Sequence, residues 1–502
     1  MSRIRALALR DAVLDDGSFV SWDDPPLEVP MSDSYRRELR DARTATGLDE
    51  SVLTGEGRVF GRRVALLVCE FEFLAGSIGV AAAERIVAAV ARATAERLPL
   101  LASPSSGGTR MQEGTVAFLQ MVKITAAVQQ HKQAHLPYLV YLRHPTTGGV
   151  FASWGSLGHV TAAEPGALIG FLGPRVYEHL YGEPFPPGVQ TAENLQRHGV
   201  VDAVVPLEVL RATIDRTLTV MSDEPATVPT APPCGPLPDV PAWESVEISR
   251  RPERPGAGVL LRYGSTERVL LSGTGRGESA TTLLALARFG GQSAVVLGQE
   301  HVVGGPDSFP GRSAPALRTG PAALREARRG MALAAGLQLP LVLVIDTAGP
   351  ALSVDAEEDG LAAEIARCLA ELVMLDTPTV SILLGQGSGG PALAMVPADR
   401  VIAAQHGWLA PLPPEGASAI VFRDVDHAPE LAAAQGIRSA DLLRSGIVDV
   451  IVPEHPDAAD EPRAFIARLS ATIAAELHAL RTAPAEQRLS ARIERYRRIG
   501  LP

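Results

Sequence analysis

The chain carries one pattern twice. Leu98-Pro99 opens an apolar run that leads to Gly107-Gly108. Leu339-Pro340 opens Leu341-Val342-Leu343-Val344-Ile345, which leads to Asp346-Thr347-Ala348-Gly349. Leu136-Pro137, a strand-like run and Gly148-Gly149 are echoed by Thr377-Pro378, a strand-like run and Gly389-Gly390. Residues 98 and 339, 136 and 377, and 148 and 389 all stand 241 positions apart. Gly199-Val200-Val201-Asp202-Ala203-Val204-Val205-Pro206 returns as Gly446-Ile447-Val448-Asp449-Val450-Ile451-Val452-Pro453, 247 positions on. Echoes that keep their order at nearly one offset indicate two copies of one domain. Whatever the fold, it has to be buildable twice.

The length agrees, since 502 residues exceed one ordinary core. Prolines 225, 229, 232, 233, 236, 238 and 241 crowd the middle of the chain. No compact element tolerates that density, so a linker is expected there. The expected domains are 1–222 and 246–502, joined by a Pro-rich linker over 223–245.

Within the first copy, Arg58 to Phe73 reads as paired strands around Val64-Ala65-Leu66-Leu67-Val68. Ala81 to Leu98 and Glu113 to Leu136 read as helices, and Tyr138 to Leu142 as a strand. Two helical pieces flank an acidic loop at Asp23-Asp24-Pro25-Pro26. In the second copy, Leu361, Ile365, Cys368, Leu369 and Leu372 share one helical face, with Glu364 and Arg367 on the other. The acidic trio Glu357, Glu358 and Asp359 stands at the start of that helix. Buried strands alternating with helices make an α/β fold of stacked units.

Several function classes are excluded. A net charge of −11 argues against a nucleic-acid-binding face. No run of about 20 apolar residues could span a bilayer. The charged N-terminus lacks a secretory apolar core, so a cytoplasmic protein is expected. Cys69, Cys234 and Cys368 are too few and too scattered for a four-ligand zinc site. Cys69 and Cys368 read as packed thiols.

The glycine pairs are the chemical feature. Two adjacent glycines let a backbone pass close to a ligand and leave N–H groups bare. At a helix N-terminus such donors can hold an enolate or oxyanion. Gly107-Gly108 in Ser105–Gly114 reads as a strand-to-helix turn of this kind. No Gly-x-Ser-x-Gly elbow competes with it. His301, His406 and His427 are scattered, and Gly273-Thr274-Gly275-Arg276-Gly277 lacks the Gly-Lys-Ser/Thr ending of a phosphate loop. Backbone donors suit a thioester carbonyl that becomes an enolate. A cofactor or second substrate must then supply the electrophile or the proton.

Longer motifs carry a resemblance. Ser106-Gly-Gly-Thr-Arg-Met-Gln-Glu-Gly114, Pro145-Thr-Thr-Gly-Gly-Val-Phe-Ala-Ser153, Ala163-Glu-Pro-Gly-Ala-Leu-Ile-Gly-Phe-Leu-Gly-Pro-Arg-Val176 and Asp16-Gly17-Ser18-Phe19-Val20 resemble the beta subunit of bacterial acetyl-CoA carboxylase carboxyltransferase. Arg251-Pro-Glu-Arg-Pro255, Ile345-Asp-Thr-Ala-Gly349, Glu357-Glu358, Gly385-Gln-Gly-Ser-Gly-Gly390 and Pro414-Glu-Gly-Ala-Ser418 resemble the alpha subunit. The resemblance implies two tandem ClpP/crotonase-like domains of stacked ββα units, beta-type then alpha-type. It implies transfer of carboxylate from carboxybiotin to acetyl-CoA or a related acyl-CoA, giving malonyl-CoA or a homologue. The glycine turns of one half would hold the thioester oxygen and those of the other the biotin ureido oxygen. Gly107, Gly108, Gly148 and Gly149 would then serve the first half, and Gly349, Gly389 and Gly390 the second. Arg110 and Arg175 are candidates for holding a carboxylate or a CoA phosphate, and a structural ion pair is the competing reading of each. Implied partners are a biotin carboxyl carrier protein, a biotin carboxylase, and further copies of the chain in a homodimer or larger ring.

The departures from the family pattern bear on function. The four-cysteine zinc ribbon of bacterial beta subunits is missing, so no zinc is expected. The family's Asp-Pro-Thr is His144-Pro145-Thr146, and its Leu-Gly-Asp is Leu157-Gly158-His159. The alpha subunit's basic loop is replaced by residues 298–307, which removes cations that would meet CoA phosphates. Aligned without a gap, the family's second Gly-Gly falls on Gly390-Pro391. Proline has no N–H, and one missing oxyanion donor costs roughly 3–4 kcal/mol in the transition state. Alternatively the register slips by one and Gly389-Gly390 serve. Two further readings stay open: a decarboxylase or carboxyltransferase for an unusual acyl thioester in a specialised pathway, and a noncatalytic scaffold subunit.

Overall fold

The structure is a computed structural model. It describes residues 3–222, 229–230, 237–272, 281–300 and 318–501, apart from the Arg175 side chain. Cys234, His301, Gly273–Gly277 and most of the loop 298–307 lie outside the described residues. The chain forms two compact units that part after Ser222.

The first unit holds β1 (Val20–Ser21), β2 (Val52–Val59), β3 (Arg62–Cys69), β4 (Leu100–Ser103), β5 (Tyr138–Leu142), β6 (Thr146–Thr147), β7 (Val160–Ala163), β8 (Ile169–Gly170) and β9 (Ala203–Val204). Its main sheet runs β1-β2-β3-β4-β5-β7-β9, and β6 pairs with β8 apart from it. The second unit holds β10 (Glu267–Leu271), β11 (Thr282–Phe289), β12 (Gln292–Gln299), β13 (Leu341–Thr347), β14 (Thr379–Ser388), β15 (Arg400–Ala404), β16 (Trp408–Ala410) and β17 (Val450–Val452). Its order is β10-β11-β12-β13-β14-β15-β17, with β16 against β14. Each unit opens with an antiparallel hairpin and continues with parallel strands.

The hairpins turn in two residues, Phe60-Gly61 and Gly290-Gly291, all with positive φ. A tight turn that matches strand twist requires this. Parallel neighbours require crossovers. Helices Val80–Ala95 and Gly114–Gln133 connect β3 to β4 and β4 to β5. Helices Pro321–Leu337 and Leu361–Val373 do the same in the second unit. Ala82, Ile86, Ala89, Val90 and Ala93 place the alanine-rich face of the first helix in the core with Leu67, Leu100 and Val140. Fully burying a side chain such as Ile86 contributes about 2–3 kcal/mol.

The strand that pairs with each late echo is fixed by the same device. Thr161 N–H donates to Asp202 Oδ2 at 2.8 Å, and Val401 N–H to Asp449 Oδ2 at 2.7 Å. One sequence expectation fails here. Glu364 is buried, not on an outer face, because Arg328 and Arg367 both donate to its carboxylate. The acidic trio belongs instead to a short separate helix, Val354–Glu358, and the turn after it.

Candidate active site

In the first unit the two glycine turns meet backbone to backbone. A Cβ added at Gly148 would lie 3.2 Å from Gly107 O and 3.5 Å from Gly108 Cα. One added at Gly108 would lie 3.2 Å from Gly149 N. Gly108 and Gly148 also have φ of 109° and 63°, which side chains disfavour. Glycine is therefore required here for close approach as well as for conformation.

The second unit repeats the φ values and hydrogen bonds of these turns 241 residues on, although Gly349 and Gly389 there pack chiefly against Ser388 and Pro350. Gly349 has φ 118°, like Gly108, and Gly389 has φ 69°, like Gly148. Gly108 N–H donates to Ser106 Oγ at 3.0 Å, and Gly349 N–H to Thr347 Oγ1 at 3.2 Å. Ile78 N–H donates to Gly108 O at 2.9 Å, and Thr319 N–H to Gly349 O at 3.1 Å. The backbone thus decides the register left open by the sequence: Gly389-Gly390 are the counterparts of Gly148-Gly149. Pro391 falls one position later, where its carbonyl accepts from Gln299 Nε2 at 3.0 Å.

An account of the donors narrows the candidates. Gly107 N–H is taken by Ala75 O at 2.9 Å, and Gly148 N–H by Phe171 O at 3.1 Å. Gly108 and Gly349 donate to the hydroxyls just named. Among the described residues, Gly149, Gly389 and Gly390 N–H have no acceptor. Gly389 is buried and Gly149 and Gly390 are half-buried, and all three stand in the first turn of a helix, where N–H groups have no partner within the helix. Gly389 and Gly390 line a cavity with Leu393, Leu409, Pro411 and Leu442.

The helix expected directly after Gly107-Gly108 starts later. A 3-10 turn over Met111–Glu113 intervenes, and the helix begins at Gly114. A helix end acts within about one turn, so it adds little at Gly107-Gly108. By contrast, Gly148 and Gly389 each open a short helix, Gly148–Phe151 and Gly389–Leu393.

Arg110 is corrected outright. Its side chain is 1 % exposed and pairs with the buried Glu50 carboxylate. It donates further to Ser51 Oγ at 3.0 Å, Ser77 O at 2.8 Å and Tyr35 OH at 3.2 Å. Those donors are committed inside the unit and cannot clasp a phosphate. The Arg175 side chain lies outside the described residues, and its backbone belongs to the helix Pro174–Tyr181.

The remaining polar candidates are structural. His144 Nδ1 accepts from Leu168 N–H and His159 Nδ1 from Tyr138 N–H, both at 3.1 Å. Each stands where the family has an aspartate. Burial first, then Lys132 and neighbouring histidines, pushes His159 down to about 3. His406 is buried between Ser245 Oγ and Pro456 O, and His427 pairs with Asp424 at the surface. Burial pushes the Cys69 thiol up to about 11 and Cys368 up to about 12, so neither is a nucleophile. Among the described residues, no helix is long and apolar enough to cross a membrane, and no metal-ligand cluster occurs.

Residues 11–490 match the model of the "Carboxyl transferase domain". The chain is 75% identical over 502 residues to the "Probable biotin-dependent acyl-coenzyme A carboxylase beta3 subunit" of Mycobacterium tuberculosis, covering 100% of both. It is 37% identical over 520 residues to the "Acetyl-coenzyme A carboxylase carboxyl transferase subunits beta/alpha" of Salinispora arenicola, covering 99% of this chain and 91% of that one. In fold it is similar to the hexameric transcarboxylase 12S core solved with hydrolysed methylmalonyl-CoA, with TM-score 0.73, 19% identity, and coverage of 94% and 90%. The chain therefore belongs to the carboxyl transferase family, as a biotin-dependent acyl-CoA carboxyltransferase built from two crotonase-like units.

Proposed function

We propose that the chain transfers carboxylate from carboxybiotin, carried on a separate protein, to acetyl-CoA or a related short acyl-CoA. The observation that carries this reading is the pair of matched glycine turns, one per unit, that keep unspent N–H groups at Gly149 and at Gly389-Gly390. The reaction develops charge on two oxygens, the thioester enolate and the biotin ureido group, and needs donors at both. The unspent donors and the cavity at Gly389-Gly390 fit that need. Carboxybiotin supplies the activated carboxylate. The first, beta-type unit up to Ser222 would hold one oxygen with Gly149. The second, alpha-type unit would hold the other with Gly389 and Gly390. Gly107, Gly108, Gly148 and Gly349 would shape the turns by allowing their close approach.

The name of the 75% relative supports an acyl-CoA carboxylase subunit, and that of the 37% relative supports acetyl-CoA as acceptor. A biotin carrier protein and a biotin carboxylase would complete the system, in the cytoplasm with the CoA pool. Copies of the chain would also pair. Met111, Leu180 and Tyr181 are exposed apolar residues, and so are Leu352, Ile420 and Val421 at the corresponding places of the second unit, where the helix Pro414–Val421 matches Pro174–Tyr181. Apolar faces at matched positions suit association of copies.

The test incubates purified protein with carboxylated carrier and labelled acetyl-, propionyl- and longer acyl-CoA. Label should appear in the carboxylated thioester. No transfer to any thioester, together with stable binding to an active homologue, would favour the scaffold reading instead.

A further inference from the structure

We propose that Tyr35, on the helix Asp33–Thr46, is a positioning residue for the carboxyl transfer. This rests on the reading just given for the Gly149 turn. The Tyr35 hydroxyl accepts from Arg110 Nη1 at 3.2 Å and donates to Glu113 Oε1 at 2.5 Å. It thus stands between a cation and an anion whose nearest atoms are 3.7 Å apart. Both partners belong to the segment that carries Gly107-Gly108 into the next helix.

Each partner is tied onward. Arg110 is anchored on Glu50 and Ser77, and its N–H donates to Ile78 O at 3.0 Å. Glu113 Oε2 accepts from Val80 N–H at 2.6 Å, at the start of the helix Val80–Ala95. The turn is held from its other side by Ala75 O, which accepts from Gly107 N–H. Leu74 and Ala75 both sit at positive φ, 47° and 58°. Strain of this kind persists only where its surroundings enforce it.

Without the hydroxyl, Arg110 and Glu113 would close their gap into a direct pair and draw the segment with them. Gly107 O and Gly108 Cα lie against Gly148, so the shift would reach Gly149 N–H. Displacing a reacting geometry by about 1 Å costs up to a hundredfold in rate. The second unit shows that the fold does not need this latch. Its counterparts of Arg110 and Glu113, 241 positions on, are Ala351 and Val354. The same turn forms there without them.

The experiment compares wild type with Tyr35→Phe and Glu113→Gln, alone and combined. Tyr35→Phe should lower kcat about tenfold, leave KM for acyl-CoA within about twofold, and leave the chain folded at assay temperature. The double variant should be no worse than the weaker single, because both break one link. Unchanged kcat, fully additive losses, or a loss that tracks the unfolded fraction would overturn the proposal. Should wild type turn over no acyl thioester, the functional reading fails and the latch is read by amide exchange. Exchange over residues 105–113 should then rise in Tyr35→Phe, and unchanged exchange there overturns the latch.

Discussion

The backbone N–H of Tyr138 donates to Nδ1 of His159 at 3.1 Å, at the start of β5. In the second unit Thr379 N–H makes the same bond to Asp399 Oδ2 at 2.8 Å, at the start of β14. One fold thus uses a neutral imidazole and a carboxylate for one task. An imidazole can accept at Nδ1 only while that nitrogen is unprotonated. The remaining proton is then on Nε2, which is buried without a partner among the described residues.

This sets a pH dependence. His159 is held down to about 3, chiefly by burial, against about 6.5 for a free histidine. Between those values the unfolded chain binds more protons than the folded one. Stability should therefore fall as pH drops through that window, by about 1.4 kcal/mol per pH unit at most. His131 and His144, also lowered mainly by burial, act with the same sign. His159→Asn keeps an acceptor and removes the titration. Urea midpoints from pH 7 to 4.5 should fall less steeply in this variant. An unchanged slope would show that His159 titrates normally.

Gly148→Ala should fold but lose most activity. Its φ of 63° costs a side chain about 1–2 kcal/mol. The added methyl would press on Gly107 O and part the two turns. A loss of at least about a hundredfold in kcat/KM is expected. Gly149→Ala meets only ordinary contacts, Met121 Cγ and Thr109 Oγ1 at 3.4 Å, and should stay close to wild type in stability. If Gly148→Ala keeps full activity, close approach of the turns is not needed.

Pro391→Ala tests the register in the second unit. Gly389 and Gly390 occupy the positions of Gly148 and Gly149, so restoring an N–H at 391 should change kcat by less than about threefold. A gain of tenfold or more would mean that the missing donor belongs at 391.

Much of the architecture was legible because local patterns and long-range order agree. The crossover helices of the first unit and the 241-residue echo follow from helix and strand periodicity, whereas the strands expected within Arg58 to Phe73 are Val52–Val59 and Arg62–Cys69. The donor account was not legible. Which N–H groups are spent depends on Ala75 O and Phe171 O, supplied from distant turns whose letters carry no mark of that role. Arg110 shows the same limit. A phosphate-binding arginine and an ion-paired one look alike in a motif. What separates them is Glu50, 60 residues upstream, brought in only by the fold. Glu364 misled because a carboxylate on a helix reads as exposed unless Arg328, from the neighbouring helix, is known to face it.

Arg110 gives a stability prediction that a phosphate-binding role would not. Arg110→Ala would leave the Glu50 carboxylate, 2 % exposed, buried without its partner. Breaking such a pair from one side costs roughly 3–5 kcal/mol. The loss should appear in urea denaturation, while the ratio of KM for acyl-CoA to that for the 3′-dephospho analogue stays unchanged. A changed ratio with wild-type stability would return Arg110 to the ligand.

Association of copies offers the last test. Stable interfaces bury about 1,200–2,000 Å² and centre on apolar side chains. Leu180 and Ile420, both well exposed, occupy equivalent positions in the matching helices Pro174–Tyr181 and Pro414–Val421. A helix face that is exposed and apolar in both copies of a repeat suits an interface between chains. Light scattering of the wild type should give a multiple of 52.9 kDa. Leu180→Asp and Ile420→Asp should each lower that mass, with folded circular dichroism retained, and should reduce transfer in step with the loss of assembly. A wild-type protein that is monomeric at assay concentration and fully active would sink the pairing of copies. It would leave these apolar faces to the biotin carrier.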